Sequence, residues 1–461
     1  MWSRRALLLS FGSLVAGSSA IRAVASDAAA SRREEVDALR RFAEVTHPRG
    51  REARDDARWR ESWDTLAASA DSLSDGAYLV TARRALGWFG DGHTTILPFE
   101  FVGGVPEPLR SGPFGLALPL SLRCFDDGIY VVAASGSAAK LRGHRVTQIN
   151  EASDVDLMRR LAIDWPGNPA WAQQWAGAAL SSPAQLVGLG VGSRAEQPWR
   201  IVTRPSSFRD ESKGSLTEMM PRRDSTDALK PVSRPTLEHE SWARAAGADN
   251  YVRVLDGGIV YVSVDDMSDV DGLTFEELSK QTLEATATAR RIIIDLRRNG
   301  GGDNVLGEPL RRGLARSRLN RSGGLYVLIG PQTFSAAQNL ATRLERETSV
   351  RFIGTPTGGT PNHYGDAKAF VGSVTGVTAI VSTVPWFDSY PQDRRPWIMP
   401  DVLVPDLATD WLAGRDRALD VARAEQSGAD VSQPADDFAG DRVIYYERPS
   451  QAQRWASFWM N

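Results

Sequence analysis

Ser335 occupies a position at which a serine could act as a nucleophile. The apolar run at 325–329 predicts a buried strand, and Gly330-Pro331 interrupts it. Apolar residues then recur at helical spacing, at Ala337, Leu340, Ala341 and Leu344. Ser335 is therefore predicted at the head of a helix, where unpaired N–H groups and the helix dipole favour the oxyanion that serine attack creates. The alternative is a structural role, because the segment from Ser335 to Gln338 also has the pattern of a capping box.

A second segment offers backbone donors for such an oxyanion. The apolar run at 292–294 predicts another buried strand, which leads into three consecutive glycines at 300–302. A helix is predicted from Val305, with Asp303 or Asn304 as its cap. Consecutive glycine N–H groups can point into one concavity that holds an anion, whereas the alternative is a flexible strand-to-helix loop. Two such strand–turn–helix segments favour nucleophilic catalysis more than either segment alone.

Three blocks of sequence carry a family resemblance. They read Ile-Asp-Leu-Arg-x-Asn-Gly-Gly-Gly at 294–302, Thr-x-Ser-Ala-Ala at 333–337 and Phe-Ile-Gly-x-Pro-Thr-Gly-Gly at 352–359. Their order and spacing resemble the tail-specific, or C-terminal processing, serine peptidases, including the tricorn-type and interphotoreceptor retinoid-binding-type members. The resemblance is most specific over 250–410 and implies an α/β fold with a crotonase-like core of ββα units. It also implies Ser335 as nucleophile, with the N–H groups of Ala336 and Gly301 forming the oxyanion hole.

The general base is predicted from the same resemblance. Bacterial relatives commonly use a lysine in a Phe-Gly-Lys-Gly context, but Thr360 stands at that place, and Lys368 is the only lysine nearby. The other branch of the family uses an upstream Asp-x-His-Thr motif, and this chain has Asp-Gly-His-Thr at 91–94. Histidine is well suited to proton transfer near neutral pH, so His93 is the predicted base. The rival base is His363, and a purely structural loop histidine is the alternative for His93.

An acidic residue would hold a histidine base in the correct tautomer. Tricorn-type relatives place this acid, usually a glutamate, shortly before a Pro-Asp pair, which here is Pro400-Asp401. Asp393 fits this pattern best, and Asp388 is the alternative. A surface ion pair with the neighbouring arginines is the competing interpretation of Asp393.

The N-terminal residues have the pattern of an export signal. Arg4-Arg5 precede a short apolar stretch, and Ala-Val-Ala at 23–25 fits a cleavage site. The arginine pair resembles a twin-arginine signal, with a Sec signal as the alternative. The predicted location is the bacterial periplasm or the extracellular space. No later apolar run reaches 18 residues, so we expect no integral membrane segment in the mature chain.

Composition argues against several other classes of function. The 461-residue chain has 54 Lys and Arg against 57 Asp and Glu, which gives no electrostatic footprint for nucleic acid. Its single cysteine, Cys124, rules out an internal disulfide. The sequence lacks the paired-histidine spacing of metal hydrolases, so no metal or cofactor is expected.

Changes in periodicity divide the chain into six predicted segments. They are an export signal (1–25), an N-terminal helical region with the Asp-Gly-His-Thr motif (26–110), a PDZ-like or small α+β region (111–190), a connecting segment with a flexible loop (191–248), a crotonase-like serine peptidase core (249–425) and a C-terminal tail (426–461). The PDZ-like interpretation depends on a resemblance at 143–151, and without it the region is a small α+β insertion.

The sequence thus predicts an exported serine peptidase of the tail-specific type. It would hydrolyse a peptide or unfolded protein substrate through an acyl-enzyme on Ser335, with His93 as base. The alternative is a non-catalytic protein of the same fold that binds a peptide or a lipophilic ligand, because the family lysine is absent.

Overall fold

The fold is described here by a computed structural model. The described residues are 31–97, 115–206, 214–223, 229–269 and 273–424, with two further short strands at Val24–Ala25 and Ile444–Tyr445. The chain forms two compact units. Unit 1 comprises Met1–Arg234 and Tyr364–Pro385, and unit 2 comprises Pro235–His363 and Trp386–Asn461. The rest of the predicted export signal and of the predicted tail lies outside the described residues.

Helices and strands alternate along much of the chain, and both are numbered here in chain order. The helices are α1 Arg32–Thr46, α2 Gly50–Asp55, α3 Ala57–Ser69, α4 Asp75–Leu86, α5 Asp154–Asp164, α6 Pro169–Ser181, α7 Pro183–Gly188, α8 Glu238–Ala246, α9 Phe275–Thr286, α10 Glu308–Arg316, α11 Ser335–Glu347, α12 Ala408–Leu412 and α13 Arg417–Ala424. The strands are β1 Val24–Ala25, β2 Thr95–Ile96, β3 Leu120–Phe125, β4 Gly128–Ala134, β5 Arg145–Ile149, β6 Ala152–Ser153, β7 Trp199–Arg204, β8 Ser215–Met219, β9 Lys230–Pro231, β10 Tyr251–Leu255, β11 Ile259–Ser263, β12 Arg291–Asp295, β13 Leu325–Ile329, β14 Arg351–Gly354, β15 Asn362–Gly365, β16 Lys368–Val371, β17 Thr378–Val381, β18 Val384–Phe387, β19 Val402–Leu403 and β20 Ile444–Tyr445. Within the described residues, no helix is long and apolar enough to cross a membrane.

Unit 1 begins with the helices α1–α4, and their sequences explain where they start and which face is buried. Ser31 and Ser74 precede α1 and α4, and each side chain accepts a hydrogen bond from an N–H of the first turn. In α1, Val36, Leu39 and Ala43 are fully buried at helical spacing. This packed helical region leads directly into the Asp-Gly-His-Thr motif.

Two sheets complete unit 1. One is antiparallel, with the order β3-β4-β5-β7-β8, and the other has the order β1-β16-β17-β2. Helix α6 packs closely on β3, since a Cβ added at Gly177 would lie 2.1 Å from the carbonyl oxygen of Leu122. The predicted connection at 191–248 instead contributes strands β7, β8 and β9, because alternating side chains of Trp199–Arg204 are buried in the period-two pattern of a strand.

Unit 2 is built on a sheet with the order β10-β11-β12-β13-β14-β19-β20. The strands from β11 through β14 to β19 are parallel, whereas β10 and β20 pair antiparallel at the two ends. Every residue of β11, β12 and β13 is buried, which accounts for their continuous apolar sequences. Because parallel strands end at one edge of a sheet, the loops after β12 and β13 meet there, and these loops carry the glycine triplet and Ser335.

Helix α10 begins later than the sequence predicts. The sequence predicts a start at Val305, but the helix begins at Glu308. The carboxylate of Asp303 accepts a hydrogen bond from the N–H of Val305 at 2.8 Å, which forms a turn instead of a helix cap. Pro309 lies in the first turn of α10, a position that suits proline.

Candidate active site

Ser335 is the first residue of α11 and has a left-handed backbone conformation, with φ of 52°. This region is unfavourable for a residue with a side chain and costs about 1–3 kcal/mol, so its surroundings must hold it in place. Phe334 is the N-cap residue, and no side chain caps the helix. The capping-box interpretation is therefore wrong, because the Ser335 hydroxyl does not cap α11 and Gln338 donates to Thr342 instead.

Hydrogen bonds from Thr333 hold the turn at Gly330–Ser335, which we call the serine turn. The N–H of Gly330 donates to Thr333 Oγ1 at 3.1 Å, and this hydroxyl donates to the carbonyl oxygen of Leu296 at 2.9 Å. The N–H of Phe334 donates to the carbonyl oxygen of Asn299 at 3.2 Å. The serine turn is thus attached to the end of the neighbouring strand β12, just before the glycine triplet.

The segment 299–304, which we call the glycine loop, lies directly against Ser335. A Cβ added at Gly301 would lie 2.5 Å from Ser335 Cβ and 3.0 Å from its Oγ. Gly301 and Gly302 have φ of 122° and 132°, values that residues with side chains rarely adopt. Glycine at 301 therefore permits both the backbone conformation and the close approach to the serine.

The N–H groups near Ser335 differ in their availability. Ala336 lies in the first turn of α11, where N–H groups have no partner within the helix. The N–H of Gly301, predicted as the second oxyanion donor, instead donates to Asn299 Oδ1 at 2.8 Å. Across the described ranges, the N–H groups of Gly300 and Gly302 have no hydrogen-bond acceptor. Ala336 and these two glycines therefore supply the available donors.

A buried ionic network supports the end of strand β12. Asp295 is fully buried, and the guanidinium of Arg297 donates to it at 2.7 and 3.0 Å and to Asp416 at 2.7 and 2.8 Å. Tyr261 and His239 extend the network to Asp295 and Asp416, respectively. Burial raises the pKa of Asp295, but the nearby arginine charges outweigh it and hold that pKa below its usual value. The Asp-Leu-Arg block therefore has a structural role at the end of β12, just before the glycine loop in the sequence.

His93 lies in unit 1 and is held by the carboxylate of its own motif. The N–H of His93 donates to Asp91 Oδ1 at 3.0 Å, and His93 Nδ1 lies 3.6 Å from the same oxygen. Thr94 Oγ1 donates to Asp91 Oδ2 at 2.7 Å, and the hydroxyl of Ser382 donates to that oxygen as well. Both His93 and Asp91 are buried. Asp91 is thus the carboxylate beside the predicted base.

His47 is a further residue of this cluster, and no sequence motif indicates it. Its Nε2 lies 3.7 Å from Asp91 Oδ2, and its ring stacks on Phe89. The N–H of Arg49 donates to His47 Nδ1 at 3.0 Å, so the neutral ring carries its proton on Nε2, which faces Asp91. Burial raises the pKa of Asp91, but its interactions with the two histidines and Ser382 outweigh burial, and the net pKa lies below the usual value for aspartate.

The predicted acids of unit 2 form ion pairs with arginines. Asp393 accepts hydrogen bonds from Arg395 at 2.8 and 3.0 Å, and Arg395 also binds both carboxylate oxygens of Glu345 on α11. Asp388 pairs with Arg343 of α11 at 2.8 Å. Burial raises the pKa of Asp393, but Arg395 and Ser389 lower it by a larger amount, so the net pKa is depressed. The ion-pair interpretation of Asp393 describes these contacts, and its role as the orienting acid stays a prediction.

The alternative bases occupy different environments. His363 is buried in unit 2. Its Nδ1 donates to the carbonyl oxygen of Thr360 at 3.1 Å, so this nitrogen carries a proton. The hydroxyl of Thr360, at the place of the family lysine, donates to the carbonyl oxygen of Asn362. Lys368 is exposed at the start of β16 in unit 1.

Comparisons with known proteins establish the fold. No protein-family model and no curated protein matches the chain. The crystal structure of mature CPAF matches with a TM-score of 0.56 and 13% identity, covering 85% of this chain and 95% of that chain. Mature CPAF complexed with lactacystin matches with a TM-score of 0.52 and 13% identity, covering 86% and 98%. The photosystem II D1 C-terminal processing protease matches 82% of this chain and 94% of its own at 13% identity, with a lower TM-score of 0.37.

The molecule is a mixed α/β protein with several sheets. More specifically, it has the fold of the tail-specific proteases, as the three sequence blocks predict. At 13% identity the similarity establishes the fold and leaves the catalytic residues to be inferred from this chain itself.

Proposed function

We propose that this protein is a serine peptidase that hydrolyses peptide bonds through an acyl-enzyme on Ser335. The observation that carries the proposal is the placement of Ser335 in a left-handed turn at the head of α11, against a glycine loop in which two N–H groups have no acceptor among the described residues. Its hydroxyl is not used to cap the helix. The tail-specific protease fold agrees with this chemistry.

The proposed reaction has two steps. Ser335 Oγ attacks the scissile carbonyl carbon, and the resulting oxyanion accepts hydrogen bonds from the N–H of Ala336 and from the glycine loop. The C–N bond then breaks and leaves an ester on Ser335, while the amine departs with a proton. Water attacks the ester in the second step and releases the acid product and the free hydroxyl. No metal takes part in either step.

His93 is the proposed proton carrier. It would accept the Ser335 proton during attack and return it to the leaving amine. Its placement beside Asp91 supports this role, because a carboxylate that stays ionised can fix the tautomer of the imidazole and stabilise its protonated form. Asp91 is accordingly our first candidate for the orienting acid, and Asp393 remains the candidate that the family pattern predicts.

Substrate and location are proposed from the sequence and the fold together. We expect the substrate to be a peptide or an unfolded protein, and the basic and apolar N-terminal residues support export. The parallel sheet of unit 2 supports a crotonase-like core, and the antiparallel sheet of unit 1 is compatible with a PDZ-like module.

Covalent labelling tests the proposal. A fluorophosphonate probe should label the full chain, and Ser335→Ala should abolish labelling without unfolding the protein. Ser349→Ala, which changes an exposed serine in the same unit, should label like the wild type. If the folded wild-type protein is never labelled, the non-catalytic binding protein becomes the better explanation, in line with the absence of the family lysine at Thr360.

A further inference from the structure

The glycine loop has three successive glycines and therefore no side chains of its own to fix its shape. Glycine has the greatest backbone freedom of any residue, so the ends of the loop must impose its conformation. The first end is anchored by Asn299, whose Nδ2 donates to the carbonyl oxygen of Val264 at 2.8 Å. The carbonyl oxygen of Asn299 also accepts from the N–H of Phe334 in the serine turn.

The middle of the glycine loop is held by backbone hydrogen bonds to Met267. The N–H of Met267 donates to the carbonyl oxygen of Gly301 at 3.0 Å, and the N–H of Asp303 donates to the carbonyl oxygen of Met267 at 2.7 Å. A Cβ added at Gly302 would lie 2.3 Å from that carbonyl oxygen, so the contact is close. Met267 precedes helix α9, and these bonds do not attach the loop to the helix that carries Ser335.

The last residue of the glycine loop is attached to the serine-bearing helix by one side-chain hydrogen bond. Asn339 Nδ2 donates to Asn304 Oδ1 at 2.8 Å. Asn339 lies four residues after Ser335, so the two residues share one side of α11. Its side chain is 1% exposed, and within the described part of the chain its Oδ1 has no hydrogen-bond partner. The bond to Asn304 is therefore the one described hydrogen bond of a buried amide.

These contacts fix the loop relative to the serine at both ends. Asn299 connects the start of the loop to the serine turn, and Asn339 connects its end to α11. The N–H groups of Gly300 and Gly302, which have no acceptor in the described part of the chain, lie between the two attachments. Loss of the second attachment would leave the end of the loop free to move relative to Ser335, because the bonds to Met267 do not connect the loop to α11.

We infer that Asn339 is a positioning residue of the oxyanion site, and that it acts by holding Asn304 and with it the N–H donors of the glycine loop. The inference rests on the proposed function, since it concerns the same serine. Asn339 does not contact the reacting atoms in this scheme. Its effect should fall on the transition state, in which the oxyanion forms, and not on the binding of the substrate.

The test compares the full-length wild type with Asn339→Ala, Asn304→Ala and the double variant. We expect each single variant to lower kcat and the rate of fluorophosphonate labelling by about 10- to 100-fold, with KM little changed. The double variant should be no slower than either single variant, because both substitutions remove the same bond. Asn320→Ala is the matched control, since it removes another asparagine amide with two hydrogen bonds in the same unit.

Hydrogen exchange of the peptide that spans 299–305 provides a second measurement. Exchange should be faster in Asn339→Ala than in the wild type and in Asn320→Ala. Unchanged exchange would overturn the inference, as would additive rate losses or a rise in KM at constant kcat. If the wild type labels but Asn339→Ala labels equally fast, the inference alone is wrong. If the wild type does not label, the proposed function fails, and the positioning role fails with it.

Discussion

Gly301 and Ser335 depend on each other at the level of single residues. Ser335 has a left-handed backbone, and Gly301 lies so close to it that a side chain at 301 would not fit. Oxyanion binding requires backbone N–H groups within about 3 Å of the reacting oxygen, and a side chain at this place would keep them apart. The site therefore requires glycine at 301 for steric as well as conformational reasons.

Substitution of Gly301 tests this dependence. Gly301→Ala places a Cβ 2.5 Å from Ser335 Cβ at a φ of 122°, so either the loop or the serine turn must shift. We expect the rate of fluorophosphonate labelling to fall by about 100-fold or more. The control is Gly330→Ala, whose added Cβ would meet its nearest neighbour at 3.6 Å and which should label normally. Equal rates for the two variants would contradict the proposed geometry.

The general base of the proposed reaction is His93. His93→Ala should lower kcat/KM by about 1,000-fold, whereas Lys368→Ala should have little effect, since it removes an exposed residue. If Asp91 orients the histidine, Asp91→Asn should slow the reaction more than Asp393→Asn. The measurement is peptide hydrolysis by variants with matched thermal stability. A large loss in Lys368→Ala with normal activity in His93→Ala would instead favour a lysine base.

Thr333 joins two elements of unit 2, the end of strand β12 and the turn that leads into α11. Its hydroxyl accepts from Gly330 and donates to the carbonyl oxygen of Leu296, and its side chain is fully buried. This hydroxyl therefore helps to attach the two strand–turn–helix segments to each other, and its removal would leave a buried N–H and a buried carbonyl oxygen without this partner, which is costly. The effect of removing it should therefore reach the geometry of Ser335.

Thr333→Val keeps the shape of the side chain and removes both hydrogen bonds. We expect a loss of about 1–3 kcal/mol in the free energy of unfolding and a lower rate of Ser335 labelling. Thr286→Val is the control, because that buried hydroxyl only donates to the carbonyl oxygen of Leu283 within helix α9. Chemical denaturation and labelling of both variants check the prediction. Normal labelling of Thr333→Val would show that the turn keeps its shape without the hydroxyl.

Local sequence signals account for much of the fold near the site. Strand β13 has the predicted bounds, and α11 begins at the predicted serine, because the apolar run, Gly330-Pro331 and the helical spacing are all contiguous. The contacts that decide which groups are available were not predictable in this way. The bond from Gly301 to Asn299 and the bond from Asn339 to Asn304 depend on how the loop closes.

The cluster around Asp91 shows the same limit over a longer distance. Ser382 donates to Asp91 across 291 residues of sequence, and His47 reaches it from the end of another helix. No spacing pattern links such residues, since tertiary packing alone brings them together. The motif at 91–94 therefore identified the histidine but gave no sign of its neighbours.

Buried carboxylates with depressed pKa values occur in both units of the protein. Asp295 and Asp416 lie in unit 2, and Asp91 lies in unit 1. For each, burial raises the pKa, but the charged or hydrogen-bonded partners lower it by a larger amount, so the net pKa is depressed. A depressed pKa in the folded state means that the ionised group stabilises the fold above the pKa of the unfolded state.

This stabilisation should be lost in acid. As the pH falls below the ordinary aspartate value of 3.8, the unfolded chain takes up protons that the folded state resists, so the free energy of unfolding decreases. Asp249 and Asp420 have raised pKa values and act in the opposite sense, but both are exposed, so solvent screens their effect. Buried Asp164 also has a raised pKa, because burial outweighs its pairing with Arg83, and it offsets part of the effect of the depressed carboxylates. Thermal unfolding measured from pH 7 to pH 3 should show a steep fall in Tm below about pH 4. A constant Tm over that range would contradict the depressed values.

The division of the chain between the units has a consequence for synthesis on the ribosome. Unit 1 takes its second segment, Tyr364–Pro385, from far along the chain, and this segment supplies β17 to pair with β2 and Ser382 to bind Asp91. The ribosome must add another 385 − 234 = 151 residues after Arg234 before that segment is complete. At about 5–20 residues per second, synthesis of these residues takes roughly 8 to 30 s, and unit 1 lacks its last strands during that time. A premature stop anywhere before Pro385 therefore leaves both units incomplete.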